Sequence, residues 1–200
     1  EPELVVDAIR DYQAAQEDAR NARVADAIAA HRADLESDEH PSIGPTDAAV
    51  TVVEFFDYRC SFCRRMVPRL DALLADHGDV RVVFIEFPVL GPESLRAAQA
   101  SLAVWRQDPE VYPDVHRALM AADDLSAPAL VEVAEAHGLD GDRLVEDMQG
   151  EAIRARLMAN HELAQAIGVE GTPAFIVGDS FMPGAVPLER LEAAVADARG

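Results

Sequence analysis

The most constraining stretch of this chain runs from Val50 to Leu70, Val-Thr-Val-Val-Glu-Phe-Phe-Asp-Tyr-Arg-Cys-Ser-Phe-Cys-Arg-Arg-Met-Val-Pro-Arg-Leu. Residues 50–56 are apolar on both faces, as a buried parallel strand requires. A sharp turn follows, then a helix that opens on Cys60 and Cys63. They are the only cysteines present. A spacing of three puts both side chains on one helix face, where a dithiol can close a small ring. The positive end of the helix dipole lowers a cysteine pKa there. A lone Cys-x-x-Cys in such a pattern is a redox pair or half a metal site. Zinc would need two more thiol or imidazole ligands. The six histidines are scattered, with no pair at i, i+3 or i+4, which points away from zinc.

Around this centre the chain divides by its punctuation. Residues 2–36 read as one or two helices, with Pro2 at a first helical position. They carry two apolar patches: Leu4, Val5, Ile9 and Tyr12, then Val24, Ile28 and Leu35. The stripe is too narrow to be a core alone. An amphipathic helix must bury its face somewhere, on its own domain or on another protomer. Residues 1–40 are therefore expected to form a helical oligomerisation arm. Residues 37–48, with two prolines and a glycine, read as a linker. From residue 49 onward one α/β domain is expected. Val80–Phe87 is its second parallel strand, closing a βαβ unit with residues 61–77 as the helix. Residues 93–167 read as a helical insertion, broken near Asp108-Pro109, Asp123–Pro128, His137-Gly138 and Gly150. Ala174–Val177 and Phe181-Met182 make a hairpin, and Leu188–Arg199 closes the chain as a helix.

Composition narrows the function classes. The formal charge is −20, and all 17 cations are arginine. Such acidity speaks for solubility and against a nucleic-acid surface, which would carry a basic stripe. No apolar run reaches transmembrane length. Glu1 is not a natural start, so a cleaved leader is expected to have preceded it.

The run Glu54-Phe-Phe-Asp-Tyr-Arg-Cys60-Ser-Phe-Cys63 resembles the active-site strand and turn of DsbA-type thioredoxin-fold proteins. Gly171-Thr172-Pro173-Ala174-Phe175 is similar to the cis-proline loop that faces the dithiol in that superfamily. Pro68 sits where thioredoxins kink their first helix. The opening Glu1-Pro-Glu-Leu-Val-Val-Asp-Ala-Ile resembles the ScsC-like (suppressor of copper sensitivity) or Com1-like branch. The resemblance implies a thioredoxin-like fold with an inserted helical subdomain, and thiol–disulfide exchange on unfolded or mispaired protein clients. It further implies a periplasmic location, a membrane thiol reductase or oxidase as redox partner, and a trimer.

Thiol–disulfide exchange needs an accessible thiolate, a resolving thiol and a proton acceptor. Cys60, beside Arg59, Arg64 and Arg65, is the expected nucleophile, and Cys63 the resolving thiol. Glu54 shares a strand face with Val52 and Phe56, so it should be buried, with a pKa raised by desolvation. In thioredoxin-like proteins an acid at this spacing relays the proton of the buried cysteine. Phe62 offers an apolar contact for clients, and Thr172 and Pro173 are expected to bind substrate backbone and face the dithiol. The Ser61-Phe62 dipeptide departs from the Cys-Pro-His-Cys of strongly oxidising DsbA. Together with the arm, this favours isomerase or reductase over a monomeric oxidase. No metal and no cofactor beyond the dithiol are expected. A copper-tolerance role is the rival reading, since a reduced Cys-x-x-Cys can hold Cu(I). No methionine–histidine cluster adjoins the pair. A kappa-type glutathione transferase would lack the dithiol. His31, His116, His137 and His161 read as solvated helix residues.

Overall fold

A computed structural model describes residues 2–200, with the side chains of residues 2–5 and 8 outside the description. The N-terminal segment forms α1 (Pro2–Ala30) and α2 (Arg32–Leu35), then β1 (Ser42–Ile43). The central unit is β2 (Val50–Phe56), α3 (Ser61–Asp76) and β3 (Val80–Glu86), with α3 running through Pro68. Five helices follow: α4 (Pro92–Gln107), α5 (Tyr112–Ala121), α6 (Ala127–Ala136), α7 (Gly141–Met148) and α8 (Glu151–Ile167). The breaks between them fall at the proline, glycine and aspartate positions that the sequence marks. Asp140 caps α7 through the Arg143 amide at 3.0 Å, and Gly168 closes α8 in a left-handed conformation. The chain ends with β4 (Ala174–Val177), β5 (Ser180–Pro183) and α9 (Leu188–Arg199).

The five strands form one sheet in the order β1-β3-β2-β4-β5. β2 and β3 are parallel, and the other pairings are antiparallel. The alternation of side chains along β2 and β3 gives the sheet two buried faces. On the first face, Val52, Phe56, Val82, Phe84 and Phe175 pack against α3, α9 and the helices α4–α7. On the second, Val53, Phe55, Val83, Ile85 and Ile176 pack against Leu163, Ala164 and Ile167 of α8. The last helix of the expected insertion is thus a sheet-covering helix, while α4–α7 form the lobe on the first face.

The second face holds a finding about the arm. Ile28 and Leu35 are 0% and 1% exposed and belong to that core, with Val24 packed at its edge. Burying a side chain of this size contributes about 1.5–3 kcal/mol. The second apolar patch therefore packs on its own domain. Removing residues 1–40 would strip that core, so a cut that spares the domain must fall before Val24. The first patch has the opposite fate: Ile9 and Tyr12 are 52% and 66% exposed. Leu4 and Val5 of that patch lie outside the described side chains.

The segment expected as a linker is packed as well. Its two-residue strand β1 lies antiparallel on β3, and His40 is buried. Arg81 of β3 reaches back to Asp38 at 2.5 Å and to the Glu36 carbonyl at 2.6 Å. Gly44, with φ 113°, follows β1; a Cβ there would stand 2.5 Å from the Val80 carbonyl oxygen. Two residues are too few to show an alternating pattern, so β1 leaves no periodic signal in the sequence.

Candidate active site

The site forms where β2 gives way to α3. Asp57, buried at the turn, accepts the Arg59 amide at 2.8 Å through one carboxylate oxygen. Its other oxygen accepts the amides of Val89 and Leu90 at 2.8 and 3.0 Å. A single carboxylate thus fixes the turn and ties the loop after β3 to it. The Cys60 amide donates to the Asp57 carbonyl at 2.9 Å, which sets Cys60 at the N-cap of α3. Cys63, one turn on, is fully buried against Met66, whereas Cys60 retains 6% exposure.

Both thiols are free, and their environments differ in sign. The Cys60 Sγ lies 3.3 Å from the Thr172 carbonyl oxygen, with the Thr172–Pro173 bond cis. Its pKa falls to about 5, chiefly through a hydrogen bond from the Cys63 thiol, aided by Thr172 and by the amides of Cys63 and Phe62. Burial opposes the fall. The Cys63 pKa is driven far up by the same sulfur–sulfur hydrogen bond, by burial and by the nearby Glu54. Helix geometry is the common cause: two sulfurs one turn apart share a proton, and the one at the helix start sees the free amides.

The three flanking arginines, expected to stabilise the thiolate, are turned to other partners. Arg59 pairs with Glu93 at 2.5 Å. Arg64 donates to the carbonyls of Tyr58 and Ala122 at 3.3 and 2.7 Å. The Arg65 guanidinium stacks 4.2 Å from the centre of the Phe62 ring. Phe62 itself is 52% exposed, and Val89 and Leu90 across the rim are 45% and 54% exposed. Beyond them, Phe87, Leu95, Leu157 and Met158 line an apolar groove of about 450 Å³.

Beneath the dithiol lies Glu54, 1% exposed, with Oε1 lacking a hydrogen-bond partner. Burial raises its pKa well above the carboxylate range, and the Cys60 charge raises it further. A second buried acid stands on the neighbouring strand. Glu86 pairs in register with Phe56 on the same sheet face, and neither carboxyl oxygen has a partner. Its pKa is also raised, by burial first. The period-two rule that places Glu54 inside applies equally to Glu86, which follows Val82 and Phe84 on one face.

His116 corrects one expectation. It is 3% exposed, not solvated, because α5 turns it onto Phe84 and Phe56. Its Nδ1 lies 3.0 and 3.2 Å from the hydroxyls of Tyr58 and Tyr112, and the Tyr58 hydroxyl donates to Ser101 at 2.8 Å. Burial lowers its pKa to about 3, so it stays neutral in this network. His161 is exposed, and His31 and His137 are half-buried.

With this geometry in view, the comparisons with known proteins decide the family. The DSBA-like thioredoxin domain matches residues 51–196. The chain belongs to this family. It is 34% identical to the Na(+)/H(+) antiporter NhaA 3 of Salinispora tropica, covering 78% of this chain and 24% of that protein. The chain thus spans about a quarter of the length of the antiporter relatives it matches. It is 30% identical to disulfide bond formation protein D of Bacillus subtilis, covering 70% of this chain and 68% of that protein. A linker-deleted form of Proteus mirabilis ScsC superposes with a TM-score of 0.82 at 31% identity, covering 98% of this chain and 91% of that one. At that coverage the match reaches beyond the residues of the family domain into α1.

Proposed function

We propose that this DSBA-like protein is a thiol–disulfide oxidoreductase that reduces and reshuffles disulfides of protein clients in the periplasm. The observation that carries the reading is the split between its sulfurs: one lowered to about 5 at the rim, the other raised and buried behind it. The Cys60 thiolate attacks a client disulfide; the Cys60–client bond forms, and the departing client sulfur takes up a proton. The Cys60 charge is then gone, and with it one cause that keeps Glu54 protonated. Glu54 releases its proton to solvent and, as carboxylate, accepts the Cys63 proton. The Cys63 thiolate then displaces the client, closing the Cys60–Cys63 disulfide and leaving the client reduced. A membrane thiol reductase would return the pair to the dithiol. If a client thiol resolves the mixed disulfide instead, no net electrons pass and the client is isomerised. The dithiol is the redox group throughout.

Two features support isomerase or reductase over oxidase. The Cys60 pKa of about 5 lies above the roughly 3.5 of DsbA, so the reduced form is less favoured. Ile9 and Tyr12 of the first patch of α1 are exposed and available to a second copy. A homo-oligomer, and on the ScsC resemblance a trimer, would set several dithiols around one client and raise the effective thiol concentration. No described helix is long and apolar enough to cross a membrane. The test is unscrambling of mispaired ribonuclease by the full chain, with light scattering in the same buffer. An oligomer that restores ribonuclease activity is expected. Removing residues 1–22 should leave insulin reduction intact and abolish unscrambling. A full chain that scatters as a monomer, or a truncated one that unscrambles as well, would overturn the oligomeric isomerase.

A further inference from the structure

β5 is the edge of the sheet, paired with β4 on one side. Val177 and Ser180 close the two-residue turn Gly178–Asp179. In such a hairpin the closing pair is hydrogen-bonded and the next pair is not. Phe181, opposite Ile176, and Pro183, opposite Ala174, occupy the non-bonded positions. The Phe181 N–H and C=O therefore point away from the sheet, as does the Pro183 C=O. Proline stands where the β4 ladder needs no N–H.

Two helices flank this open edge from opposite faces of the sheet. Val24 of α1 and Phe181 pack at the border of the second-face core, while Ala194 of α9 belongs to the first-face core. Between them runs a slot of about 970 Å³, with Phe181 and Pro183 on its floor, Arg20 and Arg23 on one wall, and Arg190 and Ala193 on the other. A recess of about 200 Å³ continues it: Arg20, Phe181 and Pro183 line both, and the recess is walled by the loop holding Thr172 and Pro173. Thr172 in turn meets Cys60. The slot thus leads from α1 along an unpaired strand edge to the dithiol.

Its chemistry selects an occupant. Arg20, Arg23 and Arg190 take no part in the ion pairs among the described residues, where Asp179 is held by Arg32. Glu17 and Asp197 stand beside them, so the slot is close to neutral in a chain of charge −20. Outward N–H and C=O groups are satisfied by another extended backbone, not by a helix, whose backbone groups bond to themselves. Among the described residues, a second copy offers only β5 itself and the two-residue β1 as strand edges.

We propose that this slot binds an extended segment of the client polypeptide as an added strand on β5, with an acidic client side chain met by Arg20 or Arg190. The segment is about as long as the four residues of β5. This rests on the client-exchange reading above and names where the client lies. It would place the client backbone before its disulfide reaches Cys60, so affinity for unfolded clients would come from strand addition and not from the dithiol alone.

The test compares two substrates with the full-length chain: a peptide disulfide with an acidic extended flank, and glutathione disulfide, whose tripeptide halves are too short to add as a strand. Ala193→Trp fills the slot from an exposed helix position away from the dithiol. It should lower kcat/KM for the flanked peptide about tenfold, the size of losing two backbone hydrogen bonds. Its rate on glutathione disulfide should match the parent. Arg20→Glu should lower kcat/KM several-fold for the acidic flank and leave a neutral-flank peptide unaffected. Parent-like kcat/KM for both substrates in Ala193→Trp would overturn the proposal. So would a change of oligomeric state in that variant, which would assign the slot to a second copy. A parent chain that reduces neither substrate would instead sink the exchange reading itself.

Discussion

The rim and the floor of the active site are built from the same two stretches of chain, the β2–α3 turn and the end of β3, and follow opposite rules. At the rim, Phe62, Val89 and Leu90 are exposed beside Cys60, which keeps 6% exposure. On the floor, Cys63, Glu54 and Glu86 are sealed under α3, and the acids keep unpaired oxygens there. An unpaired polar group in an apolar interior costs roughly 1–3 kcal/mol by protein mutational measures. A fold retains such groups where they hold a proton for chemistry or where a neutral form lowers the cost. On the proposed mechanism the rim binds and attacks, and the floor stores the proton that lets the attack be undone.

The largest effect separates the two sulfurs. Cys60→Ala should abolish insulin reduction and disulfide reshuffling, because no thiolate remains at the rim. Cys63→Ala should retain attack and accumulate mixed disulfides, visible as client adducts on non-reducing gels. It should also raise the Cys60 pKa from about 5, since the Cys63 thiol is the chief cause of that low value. Thiolate absorbance against pH would report it. If adducts accumulate in Cys60→Ala instead, rim and floor are reversed.

Next comes the proton. Glu54→Gln should slow release of the mixed disulfide about a hundredfold near neutral pH, the usual scale of a general base. Stability carries a second signature. Glu54 has a folded pKa raised above its unfolded value. The stability it contributes is therefore full below the unfolded pKa and is lost as pH rises through the folded pKa. Thermal melts should show Glu54→Gln gaining on the parent as pH rises, with the two converging in acid. A parallel pair of melting curves would mean that Glu54 is not the buried acid that titrates.

Redox poise is a smaller effect that joins rim to floor. Lowering a nucleophilic cysteine pKa by one unit stabilises the reduced form by about 1.4 kcal/mol, or about 30 mV for two electrons. With Cys60 at about 5, above the roughly 3.5 of DsbA, the couple should lie below the roughly −120 mV of DsbA. Equilibration with glutathione measures this. A potential at or above −120 mV would make the protein an oxidant and return the reading to the DsbA type.

How much of this was legible in the sequence depends on whether local pattern or tertiary contact decides. Glu54 was legible because strand period alone places it beside Val52 and Phe56. Glu86 obeys the same rule, but without an attached motif nothing drew attention to it. Asp57 was invisible in its role, since its partners Val89 and Leu90 arrive from a loop 32 and 33 residues away. The arginines misled for a related reason: charge near Cys60 in sequence says nothing of which carbonyl or carboxylate captures it. His116 has a polar name and a core position, and only the packing of α5 on Phe84 reveals it. The arm shows the limit most plainly. Its pattern requires that an apolar stripe be covered, yet Ile28 is buried against the sheet while Ile9 is left 52% exposed.

The smallest expected effect tests whether the rim can be altered without touching the floor. Phe62 sits between the cysteines, yet its ring is 52% exposed and its close partner is the Arg65 guanidinium at 4.2 Å. Such an exposed cation–π contact is worth about 0.5–1 kcal/mol. Phe62→Ala should therefore shift thermal stability little. The backbone amide of residue 62, one of the groups that lower the Cys60 pKa, remains in the variant. The thiolate titration and the reduction potential should match the parent. What disappears is apolar area offered to a client, on the order of 1 kcal/mol, so KM for an unfolded substrate should rise about fivefold with kcat unchanged. Glutathione disulfide, which buries no such surface, should react at the parent rate. If kcat or the Cys60 titration shifts with KM, the ring also shields the thiolate, and rim and floor act as one unit.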